Sequence, residues 1–497
     1  MMKLVLFALA AAVAAGAEGV RVDFTASCGR MRPLHGVNNC PIRVVHPNGW
    51  SAAPQGQAEF KRAGIPYCRL HDTGGAFGGA RFVDIPNVFP DFDADETDPA
   101  NYDFAFTDGL LKPLVAAGTV PFYRLGVTIE CDAGLKAYHV YPPKDYAKWA
   151  RICEQVIRHY NEGWANGFRW NLRYWEIWNE PDGHGNMWRG TRREFFELYR
   201  VAASHLKRTF PQLRIGGYGS VGFYSFDDPG NRVWGVKSGH DSGKYAEEFL
   251  DYVTAPATRA PLDFFSWHIY IRKGFGPERI AVWDAHLREL LDVRGLKDTE
   301  SILDEWNLVA DVNVDGHKGI DWDALKEAKG AVGVAAVLAV LQRSGVALAM
   351  YYDAQPTRKY CGLFYYPSER TTPCYESFVA FNELYRLGGA VACASDTPDV
   401  FVAAATDGAR QAFYVVNISE TETRTFAPEL KGAKGAFDVR ILDAAHPRLT
   451  PSGTWSVGKP LVLPPQTLLL LDFRPTGGGQ TVFGSLWYNL RRFNFKG

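Results

Sequence analysis

At 497 residues, 46% hydrophobic and 14% aromatic, the chain has material for one large domain and a smaller one. Its 54 basic and 55 acidic residues leave a formal charge of −1. No basic field is available to hold a phosphate backbone, which argues against nucleic acid as a partner.

Met1 to Ala17 has the pattern of an export signal. Lys3 gives a positive start, Leu4 to Ala15 is apolar, and Ala15-Gly16-Ala17 fits a small-residue cleavage site. The run is too short to span a bilayer, and no other run is long and uncharged enough to do so. The expectation is an exported chain with no transmembrane segment. Val20-Arg21-Val22-Asp23-Phe24 then alternates like a strand.

Strand-like runs follow at Leu34–Asn38, Ile65–His71, Val120–Gly126, Tyr174–Glu180, Arg214–Ser220, Phe264–Tyr270, Ser301–Trp306 and Ala347–Asp353. Most are short and apolar without polar alternation, as parallel strands covered on both sides require. Helical periodicity lies between them. Trp149, Cys153, Val156, Ile157 and Tyr160 share one helical face, and Phe195, Leu198, Ala202 and Leu206 another. Asp321 to Ser344 reads as one long helix. The fold class is therefore α/β, a (β/α)8 TIM barrel. A doubly wound open sheet is the competing architecture, but no glycine-rich phosphate turn follows the first strand.

Near Gly388 the pattern changes to short strands separated by Gly, Pro and Asp turns: Val400–Ala405, Gln411–Val416, Thr423–Phe426, Ala436–Leu442 and Leu461–Phe473. A small C-terminal antiparallel β-sandwich fits, with Val20–Phe24 as an added edge strand. The expected division is signal peptide 1–17, lead-in strand 18–30, barrel 31–387, sandwich 388–475 and a Gly-rich, aromatic tail 476–497. The tail reads equally as a docking segment or a loose end. Asn417-Ile418-Ser419 matches a glycosylation sequon. Among eight cysteines, Cys361 and Cys374 flank one loop and are the pair that export would allow to bridge. Neither a CxxC nor an HExxH motif occurs, so no metal and no cofactor is expected.

Two strand tips carry the chemistry. Tyr174-Trp175-Glu176-Ile177-Trp178-Asn179-Glu180-Pro181 ends in an amide and a carboxylate. Ser301-Ile302-Leu303-Asp304-Glu305-Trp306-Asn307 again places a glutamate and aromatics at a strand end. Two glutamates on strand ends of one domain are what glycosidic-bond cleavage requires. In the retaining mode one carboxylate attacks and the other first gives and then takes a proton. Strict alternation cannot aim both Asn179 and Glu180 into a barrel, so a bulge or strand end must turn one inward.

Trp-Glu-Ile-Trp-Asn-Glu-Pro resembles the acid/base strand of the retaining TIM-barrel glycoside hydrolases, and the closer resemblance is to glycoside hydrolase family 39, the β-xylosidase and α-L-iduronidase family. Gly64–His71, Tyr102-Asp103-Phe104 with Asp108, Pro121–Gly126, Phe264–Tyr270 and Cys361-Gly362-Leu363-Phe364 with Pro373 and Tyr375 agree in order. The resemblance implies Glu180 as acid/base and Glu305 as nucleophile. It implies Asn179 on the sugar 2-hydroxyl, and His71, His268 and Tyr270 lining the subsite of the cleaved sugar. Tyr270 would also hold Glu305 in line. Trp306 is a candidate sugar platform, and Trp178 a lesser one. Asp72, Arg124 and Tyr351-Tyr352-Asp353 depart from the family pattern near the cleft mouth and bear on sugar identity. Arg124 is a candidate partner for a uronate carboxylate. The implied activity is exo-acting hydrolysis of a β-xyloside or similar plant-wall glycan, with an oligosaccharide or glycoside as partner. An arabinoside, galactoside or uronide substrate and a non-catalytic carbohydrate-binding protein stay open, as does the oligomeric state.

Overall fold

The computed structural model describes residues 19–40, 56–71, 73–75, 81–128, 140–183, 187–224, 241–272, 276–309, 311–314 and 317–475. The leader, Asp72, Cys131 and the 476–497 tail lie outside the described residues.

Eight parallel strands close into a barrel: Gly36–Asn38, Tyr67–Arg69, Val120–Leu125, Tyr174–Ile177, Arg214–Ser220, Phe264–Arg272, Glu300–Val309 and Leu348–Tyr351. They are called strands one to eight below. Each overlaps one of the runs expected from the sequence. Their side chains are buried on both sides because helices cover the outside and facing strands fill the inside. At the amino-terminal end the interior is plugged by Phe122, Tyr174, Phe264, Ile302, Leu348 and Met350. The Phe122 and Tyr174 rings stack at 5.6 Å. The plug leaves only the carboxyl-terminal end of the strands open for chemistry.

The covering helices start where side chains can take their free N–H groups. Asp145 accepts from Ala147 and Lys148 to open helix Tyr146–Asn161. Thr191 and Glu194 form a reciprocal capping box at helix Arg192–Thr209. The long helix expected over 321–344 is interrupted. A single turn at Ala324–Lys326 is followed by extended Glu327 and then by helix Ala328–Arg343. Asp321 accepts the N–H groups of Asp323 and Ala324 and so forms the turn instead of a helix. Gly330 lets this turn fold back, since a Cβ there would sit 2.3 Å from the Leu325 carbonyl. No helix among the described residues is long and apolar enough to cross a membrane.

The carboxyl-terminal part is an eight-stranded sheet. Its order is Glu429–Lys431, Val20–Arg30, Gly389–Ser395, Val400–Thr406, Gln411–Asn417, Thr467–Phe473, Phe437–Leu442 and Thr450–Trp455. The amino-terminal strand runs antiparallel to Gly389–Ser395 with Val20 opposite Ser395. It is not at the edge, because Glu429–Lys431 pairs with its other side. Alternate residues serve two cores. Phe401, Ala403, Tyr414 and Leu470 join the barrel core under helices Ala328–Arg343 and Pro373–Leu387, and Tyr414 donates its hydroxyl to the Ala335 carbonyl at 2.8 Å. Val402, Phe413, Val415 and Leu471 form a separate core closed by the pair Arg424–Phe426 and Leu461–Leu463. The sandwich's second layer is therefore reduced to two strands.

Two lesser expectations fail. Asn417 is wholly buried and donates its amide to the carbonyls of Glu422, Leu463 and Pro464, so the folded sequon offers no accessible nitrogen. Cys361 and Cys374 are buried free thiols.

Candidate active site

Strand four ends at Ile177, and the next residues leave strand geometry. Trp178 has φ 72° and Glu180 φ 46°. Left-handed backbone at a bulky residue costs about 1–3 kcal/mol and persists only where the surroundings hold it. Here the Glu180 N–H is held by the carbonyls of Tyr218 and Gly219, both at 3.1 Å. The break in alternation turns Asn179 and Glu180 to the same side and sends Trp178 outward. The Trp178 indole donates to the Met187 carbonyl at 2.8 Å and packs on Trp149 and Trp188. Gly219 is required beside this turn: it has φ 67°, and a Cβ there would lie 2.9 Å from His268 Nε2.

Strand seven solves the same problem with a bulge. Leu303 pairs with Trp267 and Glu305 with His268, so Asp304 is an extra residue. Asp304 and Glu305 both reach into the barrel, and Trp306 is thrown outward. Trp306 is 0% exposed, with its ring 5.2 Å from Tyr351, which packs on Phe378 of a covering helix. A wholly buried ring has no face for a sugar, so the platform assigned to Trp306 is corrected to a core residue.

The remaining candidates converge. Tyr270 donates its hydroxyl to Glu305 Oε1 at 2.5 Å, and Arg69 Nη1 donates to Oε2 at 3.1 Å. His268 Nδ1 lies 2.7 Å from Glu180 Oε1 and 3.6 Å from Glu305 Oε2. One carboxylate oxygen of each glutamate and a His268 nitrogen all fall within 4.8 Å of one another. That spacing fits a retaining pair, for which about 5–5.5 Å is usual, and is too short for an intervening water as inversion needs. Asn179 Oδ1 accepts from Arg69 Nη2 at 2.6 Å, and its buried Nδ2 has no acceptor among the described residues. That N–H remains for a substrate hydroxyl.

Burial raises the Glu305 carboxyl above its ordinary value, aided by Glu180 and opposed by His268, Arg69 and the Tyr270 hydroxyl. Burial works against charge on His268, but Glu305, Asp304 and Glu180 outweigh it and raise the imidazole well above its usual value. His71, also buried, is pushed far the other way by burial and by the charges of Arg69, Arg124 and His268. One histidine is thus cationic and the other neutral at neutral pH. Glu180, His268 and Glu305 are close enough to enclose a cation. Among the described residues the trio is joined by the His268 contacts to both carboxylates.

Sequence reasoning missed the layer beneath. Arg69, 0% exposed, places Nε 2.7 Å from Glu176 Oε2 and 3.1 Å from Asp304 Oδ2, and Nη1 3.2 Å from Asn38 Oδ1. Ser266 donates to Glu176 Oε1 at 2.7 Å. The available signal was a charge inside an otherwise apolar parallel strand, at Arg69, Glu176 and Asp304 alike. Asp182 was also missed. It accepts from the Ser220 hydroxyl at 2.7 Å and from the Val221 N–H at 3.2 Å, tying the Glu180 turn to strand five. Burial chiefly, with Glu180 adding to it, lifts Asp182 to about 7.

Arg124 is wholly buried and pairs through Nη2 with Asp84 at 2.8 Å, while its Nε and Nη1 have no acceptor among the described residues. The partly exposed aromatics near Tyr270 are Tyr352, Tyr360 and Trp322. Tyr360 lies 5.9 Å from Tyr270, 5.4 Å from Tyr352 and 4.2 Å from Trp322. Asn307 of strand seven donates to the Tyr360 carbonyl at 2.8 Å and also to that of Tyr352, fixing this shelf to the strand that carries Glu305.

Residues 85–293 match the model of the glycosyl hydrolases family 39. A β-xylosidase of Caldicellulosiruptor saccharolyticus is 33% identical over 178 residues, 34% of this chain and 31% of its own length. A β-xylosidase of Geobacillus stearothermophilus is 28% identical over 181 residues, 35% and 31% respectively. The matched stretch spans about a third of the length of these curated relatives. Among solved structures, a glucosidase from Croceicoccus marinus superposes with a TM-score of 0.70 at 20% identity, over 92% of this chain and 98% of that one. A GH39 β-xylosidase from Caulobacter crescentus gives 0.64 at 18%, over 92% and 100%. At these identities the superpositions establish the fold alone.

Proposed function

We propose that the chain is an exported, exo-acting, retaining glycosidase of the glycosyl hydrolases family 39, whose model matches residues 85–293. The observation that carries this reading is the pair of strand-tip glutamates, with oxygens within 4.8 Å, at the open end of one barrel. Tyr270 and Arg69 donate to Glu305, which directs its carboxylate and suits it to attack the anomeric carbon. Glu180 protonates the departing oxygen. Once Glu305 is a sugar ester its charge is gone, and Glu180 serves as the base that activates water. Asn179 Nδ2 donates to the 2-hydroxyl, a bond that strengthens as positive charge develops on the ring.

A β-linked xyloside is the first substrate to test, because the curated relatives are β-xylosidases. The complete burial of Arg124 weighs against a uronide. Export rests on the Met1–Ala17 pattern, and amino-terminal sequencing of the mature chain tests it. The decisive experiment is release of nitrophenol from β-xyloside, α-arabinoside, β-galactoside, β-glucoside and uronide, wild type beside Glu305→Ala, with NMR of the first-formed sugar. Turnover abolished in the variant, with retained anomeric configuration, is the expected result. Inversion would sink the double displacement. Sugar binding without turnover, surviving Glu305→Ala, would make the chain a carbohydrate-binding protein instead.

A further inference from the structure

Six ionisable groups meet inside the barrel mouth: Arg69, Glu176, Glu180, His268, Asp304 and Glu305. Arg69, Glu176 and Asp304 are wholly buried. Glu176 and Asp304 both crowd the same Arg69 Nε–H, at 2.7 and 3.1 Å. One N–H cannot satisfy two anions out of water. Asp304 Oδ2 has Arg69 Nε at 3.1 Å and Oδ1 has His268 Nε2 at 3.4 Å, but neither contact has full hydrogen-bond geometry. A buried carboxylate held only by such contacts is costly, and a proton on Glu176 would supply a further donor.

Charge balance points the same way. If the proposed reaction is right, Glu305 must be ionised when it attacks. The cations are Arg69 on strand two and His268 on strand six. Arg124, beside Glu176 on strand three, is taken by Asp84, and His71 is neutral. Strands one and five offer Asn38 and Gly219, and strand eight the apolar Met350, none of which carries charge. Two cations then match Glu305 and Asp304, with nothing left to balance an ionised Glu176.

We propose that Glu176 is a neutral carboxylic acid that donates its proton to Asp304, and that it acts as a positioning residue, holding Arg69 and Asp304 beneath the glutamate pair without adding charge there. Burial first, then Asp304, lifts Glu176 to about 8 against the pull of Arg69. Asp304 is held at about 2 despite burial, by Arg69 and by the Glu176 hydrogen bond. The acid keeps Arg69 and Asp304 in place without adding an anion beneath Glu305, where a further negative charge would hinder the ionisation that attack requires.

This inference concerns the mechanism proposed above, but its first test needs no substrate. Infrared spectra of the wild-type protein at neutral pH should contain the carbonyl band of a protonated carboxyl, and Glu176→Gln should remove part of it. Absence of such a band from the wild type, or an unchanged band in Glu176→Gln, overturns the proposal. If Glu176→Gln does not fold, Asp304→Asn takes its place. With Asp304 neutral, Glu176 becomes the counter-ion of Arg69, and the band must weaken. On a turned-over aryl glycoside, Glu176→Gln should keep the acid limb of kcat/KM where the wild type has it, because no charge has been removed. A fall of that limb by about one pH unit or more would mean that an anion was lost, and would refute a neutral Glu176. A silent substrate panel with the infrared band present would count against the glycosidase reading while leaving the proton assignment intact.

Discussion

His268 holds Glu180 directly: Nδ1 of the imidazole lies 2.7 Å from Glu180 Oε1. The contact engages one oxygen and leaves Oε2 to meet the glycosidic oxygen. It also makes His268 part of the folded state's electrostatics. The folded pKa is raised above the unfolded value. The stabilisation it brings is complete below about pH 6.5 and is lost as pH rises through the folded value. His268→Gln should therefore lower the thermal midpoint most in mildly acidic solution, and the gap to wild type should close on the alkaline side. A gap that widens with pH would mean that the ring is neutral.

Glu180→Gln keeps the shape of the acid/base and removes its proton. Hydrolysis of substrates with poor leaving groups should fall about 10²- to 10⁴-fold. Aryl glycosides with acidic phenols need no protonation and should lose much less in the first step. Kinetics across a series of phenols checks this, and equal loss at every leaving group would remove Glu180 from the acid role.

Trp306 and Tyr360 should behave oppositely. Trp306→Phe opens a void between barrel and helices and should cost about 1–3 kcal/mol of stability with KM unchanged. Tyr360→Ala removes a partly exposed ring of the shelf beside Tyr270. It should raise KM roughly two- to tenfold with little change in thermal midpoint. Denaturation and steady-state kinetics on both variants separate the roles, and a KM effect in Trp306→Phe would reinstate it as a sugar platform.

Asp182 gives a second pH signature. Its folded value, about 7, lies above that of a free aspartate. Folded protein therefore keeps a proton that the unfolded chain has released, and stability contributed by this group declines as pH rises from about 4 to about 7. Asp182→Asn keeps the acceptor for Ser220 and Val221 and removes the titration. Stability curves at the two pH values should show a flatter slope in the variant, and an identical slope would place the proton elsewhere.

The barrel was legible because parallel strands covered on both sides read as short apolar runs, and eight such runs alternate with helical faces. The geometry of the strand tips was only partly legible, because it depends on how alternation fails. Glu180 reaches the mouth through left-handed backbone at Trp178 and Glu180 itself. Glu305 reaches it through one inserted residue, Asp304. Adjacent Asn179 and Glu180 before Pro181 announce that alternation fails on strand four but not how, whereas no glycine or proline announces the strand-seven bulge, which reverses the side on which Trp306 lies. The missed Arg69–Glu176–Asp304 layer shows a different limit. Period-2 reading treats a charged residue inside an apolar strand as an exception to be tolerated, whereas three such exceptions on separate strands have each other as partners. The 321–344 helix was overextended because its apolar periodicity outweighed the Asp321 turn.

The amino-terminal strand has no partner until the far end of the chain exists. Val20–Arg30 pairs with Gly389–Ser395 on one side and Glu429–Lys431 on the other. A product halted before residue 389 would carry that strand with both edges bare. It would also leave helix Ala328–Arg343 without the sheet that covers it. Such a fragment is the kind of surface that chaperones and proteases recognise. The seam between first and last segments therefore closes only once residues 389–431 exist, however much of the barrel has already formed.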